Sequence, residues 1–277
     1  MPADALLDSR TLVRTCITAQ AQELGLWQQH RQMAWWQGGV QAMGANVVVD
    51  CGTTPDARQL SRLAQLFARM PVPAAWLVWP DQNPELQAGV LHGFGFQFCE
   101  GLWLARLTAD QLLPLPAGLV LPDRCVLRPL KLDDRPALAD FYEHCHQIPA
   151  PLAWSTASAF LSLDSPSSSP GWFSTVGVVL EAVDGCSSQV VAAISSCFCN
   201  SDGLSSQAPL AGLVWLGTHS LFRRKGLARW LTHHVCSALF QRGLACINVQ
   251  AAPVAVELYR GLGFRSFGQL ELWARHP

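Results

Sequence analysis

Short apolar runs alternate with longer stretches of helical spacing along most of this chain. In the first half, Asn46 to Asp50 and Ala75 to Trp79 are apolar runs of strand length, and Leu102 to Arg106 ends a third. Residues 55–68 and 84–91 fall between them and carry helical spacing. In the second half, Cys125 to Arg128 predicts a strand. A helix from Leu132 to Cys145 follows, with Leu138, Phe141 and Tyr142 on one face and Asp133-Asp134 at its dipole-favoured start. Two β-rich runs, 175–182 and 190–198, flank Asp184-Gly185, a hairpin turn signal. Leu210 to Thr218 predicts another strand. Leu227 to Phe240 predicts a helix that stops at Arg242-Gly243, a basic last turn followed by glycine. Cys246 to Gln250 is a buried-type strand, Val254 to Leu262 a helix opened by Pro253, and Phe264 to Trp273 a final strand. This order predicts an α/β chain with a mixed, mostly antiparallel central sheet flanked by helices.

The order also repeats. Phe94-Gly95-Phe96 leads into a strand ending Leu102-Trp103-Leu104-Ala105-Arg106, and Leu262-Gly263-Phe264 leads into one ending Leu272-Trp273-Ala274-Arg275. Between the copies, Leu112 to Pro122 holds three prolines and a glycine, which continue neither a helix nor a central strand. The expected organisation is a domain over 1–110, a linker over 111–122 and a second domain over 123–277, two tandem copies of one unit. Ser162 to Gly171, rich in serine and proline, reads as a surface loop.

Composition narrows the classes. The chain of 277 residues has 50% apolar and only 14% charged residues, so a large core is affordable and global disorder is not expected. Nineteen basic and twenty acidic residues nearly cancel, which gives no field favouring nucleic acid or an anionic membrane. No apolar run reaches the roughly 18–20 residues of a bilayer span, and the N-terminus lacks the pattern of a signal peptide, so a cytoplasmic location is expected. The ten cysteines show no C-x-x-C spacing and read as small apolar residues in a reducing compartment; no metal site is expected. Trp35-Trp36, Trp76 and Trp79 suit either a pocket wall or core packing.

Candidate chemistry concentrates in one segment. The strand to Thr218 runs into Arg223-Arg224-Lys225-Gly226, and a helix begins at once. Backbone N–H groups in such a turn, with the helix N-terminus, form an anion site, and Gly226 lets a phosphate approach the main chain. The same residues also suit a plain basic surface turn before an amphipathic helix.

Arg223-x-x-Gly226-x-Ala228 after an apolar strand resembles the Q/R-x-x-G-x-G/A signature of the GNAT superfamily of N-acetyltransferases. Ala255, Leu258-Tyr259 and Gly263-Phe264 are similar to its A-x-x-L-Y-x-x-x-G-F stretch, and Arg128-Pro129-Leu130 with Asp133-Asp134 to its opening strand and helix. The resemblance covers about residues 123–275. Residues 1–110 resemble a degenerate copy that lacks the glycine near Pro55-Asp56-Ala57-Arg58 and has Leu91-His92 where Leu258-Tyr259 stands.

The resemblance implies an acetyltransferase that uses acetyl-CoA as co-substrate and an amine, in a small molecule or peptide, as acceptor. The backbone of Leu216, Gly217 and Thr218 would hold the pantetheine, and the turn of Arg223, Arg224, Lys225, Gly226, Leu227 and Ala228 the pyrophosphate. Tyr259 would act as general acid on the departing thiolate; its alternative is a ring packed under the sheet. No carboxylate lies in Leu213 to Gly217, where many members keep a base, so His219 and Glu181 stand as candidates. The missing base leaves a rival reading, a regulatory module that binds an acyl-CoA without turnover. Oligomeric state and acceptor identity are open.

Overall fold

The computed structural model describes residues 3–24, 26–30, 33–39, 41–52, 56–161, 171–181, 188–199 and 210–277. The serine/proline loop over 162–170 and the Asp184-Gly185 turn lie outside these residues.

The first half runs α1 (Ala3–Leu24), β1 (Leu26–His30), β2 (Met33–Gln37), β3 (Asn46–Asp50), α2 (Ala57–Ala68), β4 (Ala74–Val78), α3 (Pro84–Gly93) and β5 (Gln97–Thr108). The second half runs β6 (Cys125–Pro129), α4 (Arg135–His146), α5 (Ala150–Leu161), β7 (Gly171–Leu180), β8 (Gln189–Cys199), β9 (Leu210–Thr218), α6 (Leu227–Gln241), β10 (Cys246–Ala251), α7 (Val256–Arg260) and β11 (Arg265–Arg275). Strand β7 ends two residues before the expected Ala182, and α7 is one short turn reached through a 3-10 turn at Pro253–Ala255.

The strands form one sheet in the order β1-β2-β3-β4-β11-β5-β10-β9-β8-β7-β6. Among the described residues only β3 with β4 and β9 with β10 pair in parallel; every other ladder is antiparallel. The final strand of each half crosses to the other half: β5 pairs with β10, and β11 pairs with β4. The two therefore lie side by side, Leu102 opposite Leu270, and stitch the halves into one sheet. This exchange leaves no bare strand edge where the two copies of the unit meet.

Period-2 alternation assigns the faces. Val47, Val49, Ala75 and Leu77 pack with α1, while Val48, Trp76 and Val78 pack with Leu60, Leu63 and Phe67 of α2. In the second half, Leu227, Leu231, Val235 and Leu239 of α6 cover Ile247 and Val249, and α4 and α5 lie on the other face. Trp36, Trp76 and Trp79 are fully buried, with Trp76 Nε1 donating to Gln87 Oε1 at 3.1 Å, so these tryptophans are core.

The repeat is visible in hydrogen bonds. After α3, the amides of Phe94 and Phe96 donate to Leu91 O and that of Gly95 to His92 O; after α7, Leu262 and Phe264 donate to Tyr259 O and Gly263 to Arg260 O. Gly95 (φ 81°) and Gly263 (φ 99°) both turn through left-handed backbone, where a β-carbon is unfavourable. This register corrects the sequence pairing by one residue: Leu91, not His92, occupies the place of Tyr259.

Helix α1 has no forecast in the sequence pattern, and the reason is chemical. Its buried side includes Ser9, Arg10 and Gln20 beside Leu12, Val13 and Cys16. The two long polar side chains are inside because they are bonded there: Arg10 to Asp81 and Asp50, and Gln20 Nε2 to Thr156 Oγ1.

Candidate active site

Strands β9 and β10 pair only at Ala211, Gly212 and Leu213, opposite Ile247, Asn248 and Val249, and then part. Two features drive them apart. A register shift against β8 between Ala193 and Ser195 bulges β9, and Trp215 takes φ 54°, rare for a bulky residue. The Trp215 ring is drawn back onto α4, 5.0 Å from the His146 ring and 5.4 Å from that of Tyr142. Gly217 permits this approach, since a β-carbon there would stand 3.0 Å from Phe141 Cζ and 3.2 Å from His146 Nε2.

The parting opens a cleft of about 430 Å³. Its walls are Leu213 to Thr218 on one side, Gln250 to Ala252 on the other, with Cys145, His146, Arg223, Val254, Ala255 and Tyr259 closing the ends. Along it, β9 beyond Leu213 has no strand partner on the β10 side, so its amides and carbonyls can bond an extended ligand as a strand would. Two polar atoms on the walls are buried without a hydrogen-bond partner, Thr218 Oγ1 and His146 Nε2. In a native site such orphans call for a ligand or water.

At one end of the cleft the chain turns through a 3-10 turn at Ser220–Phe222 into α6. Gly226 is the N-cap, with φ 79° and no side-chain cap, and the first helical bond runs from Trp230 N to Gly226 O at 2.9 Å. Arg224 is also left-handed, with φ 60°. The amides from Arg224 to Arg229 thus precede the helical ladder and are available to an anion. Arg223 spans turn and strand, its Nε donating to Thr218 O at 3.0 Å. Arg224 and Lys225 are exposed, and Lys225 Nζ sits 5.2 Å over the Phe222 ring. Leu227 sinks into the core, so only its amide faces the turn. Gly226 serves a packing role as well: a β-carbon there would come within 2.2 Å of Leu119 Cδ1, a linker side chain laid against the turn.

The two tyrosines differ in kind. Tyr142 is fully buried and its hydroxyl is bonded to Ser195 Oγ at 3.0 Å, a structural arrangement. Tyr259 lies on the cleft wall with its ring edge-on to Phe264 at 5.2 Å, and its hydroxyl has no hydrogen bond within the described residues. Burial pushes the phenol of Tyr259 well above its ordinary pKa, so it stays protonated.

His219 and Glu181 are not brought into the cleft. His219 caps the 3-10 turn, its Nδ1 accepting the Leu221 amide at 3.4 Å, and stacks on His144 at 4.3 Å. It follows Thr218, the last cleft residue of β9, and does not line the cleft itself. Glu181 follows β7, with β8 between it and β9, and is exposed. The histidine at the cleft is His146, which the sequence pattern places only at a helix end. Burial, reinforced by Arg223, lowers it to about 4 against a weaker opposing bond to the Trp215 backbone, so it is neutral at pH 7.

Solved structures of GCN5-related N-acetyltransferases superpose on at least 95% of this chain, with TM-scores of 0.55 and 0.56. The protein has the GNAT acetyltransferase fold. Residues 137–264 match the model of the acetyltransferase (GNAT) family. A GCN5-related N-acetyltransferase from Kribbella flavida is 18% identical, with 95% of each chain covered and a TM-score of 0.55. A GCN5-related N-acetyltransferase from Sphaerobacter thermophilus is 14% identical over all of this chain and 94% of its own, TM-score 0.56. A tandem GNAT protein from the clavulanic acid biosynthesis pathway is 15% identical over 77% of this chain and 67% of its own, TM-score 0.52. No curated protein matches the chain. Among the described residues no cluster suits a metal ion, no disulfide forms, and no helix is long and apolar enough to cross a membrane.

Proposed function

We propose that this protein transfers an acyl group, acetyl in the simplest case, from its coenzyme A thioester to a primary amine in a ternary complex. One observation carries the reading: the split beyond Leu213 and Tyr259 line one cleft, and Arg223, which leads into the open turn before α6, stands at its end. The residues fit the coenzyme. The amides of Arg224 to Ala228 suit a pyrophosphate, and the free edge of β9 suits two amides of an extended arm. That arm runs from Thr218 towards Leu213, which puts the sulfur end at the narrow end of the split.

The thioester supplies an activated carbonyl. The amine nitrogen bonds to that carbon, the carbon–sulfur bond breaks, the nitrogen loses one proton and the sulfur gains one. Tyr259 holds the proton for sulfur; the dry site that raises the phenol raises the thiol too, so transfer between them stays feasible. His146, neutral above about pH 4, offers its lone Nε2 pair to the amine proton from beside Trp215. The proposal gives this role to His146 rather than His219 or Glu181 because it alone of the three lines the cleft.

Thiol release from acetyl-CoA with a panel of primary amines tests the reading. Tyr259→Phe should keep acetyl-CoA binding within a few-fold while slowing turnover roughly 10²-fold. Binding by calorimetry without thiol release for any amine would leave a coenzyme-binding regulatory module. Absence of binding at millimolar concentration would end both readings.

A further inference from the structure

A second cavity, about 340 Å³, opens on the other side of the same split. Leu213, Val214, Trp215 and Gln250 line both cavities, so the second continues the coenzyme cleft from its sulfur end. Its other walls come from both halves: Leu12 and Cys16 of α1, Val47 of β3, and Ala75 and Leu77 of β4 from the first, and Gly212, Asn248, Val249 and Leu272 from the second. Gly212 sets its depth, because a β-carbon there would touch Leu12 Cδ1 at 3.1 Å.

The chemistry of the walls selects the occupant. None of the residues lining the cavity is charged; its polar groups are three amides, Gln20, Asn248 and Gln250. Gln20 Nε2 bonds Thr156, Gln250 Nε2 bonds Ser9 O, and Asn248 Oδ1 accepts from Arg106 Nε at 2.9 Å, which leaves Asn248 Nδ2 as the one wall amide group buried without a partner among the described residues. An ammonium acceptor entering this space would lose water with no carboxylate to replace it, whereas a hydrocarbon chain gains from entry. The volume equals that of about ten waters, far more than the single methyl of an acetyl group fills.

We infer that this cavity holds the acyl chain, and that the preferred donor carries a medium-length saturated chain of about eight carbons. This rests on the coenzyme reading above and names its acyl group. The bonds made and broken are unchanged; only the length of the group transferred differs.

Calorimetry on the intact protein with acetyl-, butanoyl-, hexanoyl- and octanoyl-CoA decides it, with free coenzyme A as reference. A buried methylene strengthens binding about fourfold, so partial burial of six of them predicts octanoyl-CoA at least roughly 10²-fold tighter than acetyl-CoA. Cys16→Phe, which fills the cavity from α1, should collapse that ratio towards one. Cys16→Leu should reduce it in part, and serves where the phenylalanine variant does not fold. Octanoyl-CoA binding no tighter than acetyl-CoA overturns this inference and leaves the proposed function standing. Failure of free coenzyme A and of every thioester to bind overturns both.

Discussion

The turn after β3 and the turn after β9 hold the same place in the two halves and treat a helix N-terminus in opposite ways. After β9 the N-cap of α6 is glycine, which has no side chain to cap it, and among the described residues no side chain bonds the amides of that turn. After β3 the N-cap of α2 is Asp56, whose carboxylate takes the Arg58 amide at 2.9 Å and puts negative charge where a phosphate would sit. The slots beside them differ likewise. At the end of β3, Asp50 accepts from the Gly52 amide, Gln82 Nε2 and Arg14, and Trp79 Nε1 donates to Val49 O at 2.8 Å. Side chains thus bridge β3 and the segment after β4 where β9 and β10 stand apart. Leu91 completes the contrast, a buried hydrocarbon in the place of the Tyr259 hydroxyl. One architecture serves two ends, according to whether its polar termini are satisfied from within or left for a ligand.

The largest expected effect comes from making the second turn like the first. Gly226→Asp places a carboxylate at the N-cap of α6, on left-handed backbone and against Leu119. Acetyl-CoA binding should weaken roughly 10³-fold, about 4 kcal/mol, because like-charge repulsion adds to strain; titration calorimetry with wild-type-like affinity would remove the turn from the coenzyme site.

The converse change concerns the first half. Asp50→Ala strips Arg10 and Arg14 of a carboxylate that is 4% exposed. Unfolding in urea should show a loss of about 3 kcal/mol, the cost of a buried pair broken on one side. A loss under 1 kcal/mol would mean that this end of the sheet is not held by charge.

A pH series sharpens the difference between a cleft left open and one filled. His146 is held at about 4, below the ordinary histidine value of 6.5, by burial on the cleft wall. The unfolded chain takes up that proton as pH falls through about 6.5, while the folded chain refuses it until about 4. Stability from this residue is therefore complete above pH 6.5 and is lost between 6.5 and 4, by about 3 kcal/mol. Thermal melts across that window should steepen downwards in the wild type and flatten in His146→Gln; parallel curves would show that His146 does not carry the slope.

The smallest effect belongs to the cations. Arg224→Ala and Lys225→Ala remove exposed charges that do not line the cleft, and each should weaken coenzyme binding only a few-fold, about 0.5–1 kcal/mol, with salt reducing the difference. A hundredfold loss from either would put its side chain on the phosphates.

By itself the sequence determined the elements whose information is local. The parallel-strand units, the Gly226 turn, the Gly95 and Gly263 junctions and the helix bearing Tyr259 rest on apolar spacing, caps and left-handed glycines, all of which act within a few residues. Tertiary structure decided what depends on distant partners. Helix α1 hides from a hydropathy reading because its buried Arg10 and Gln20 become acceptable only once Asp81 and Thr156 are in place. His146 looks like any helix-end histidine until Trp215, sixty-nine positions on, bulges against it. The exchange of β5 and β11 is invisible to periodicity, since either strand has the alternation to pair with either half. The second cavity exists only because that exchange and α1 bring the first half against the split, so its apolar, uncharged walls are a property of two half-chains packed together and of neither alone.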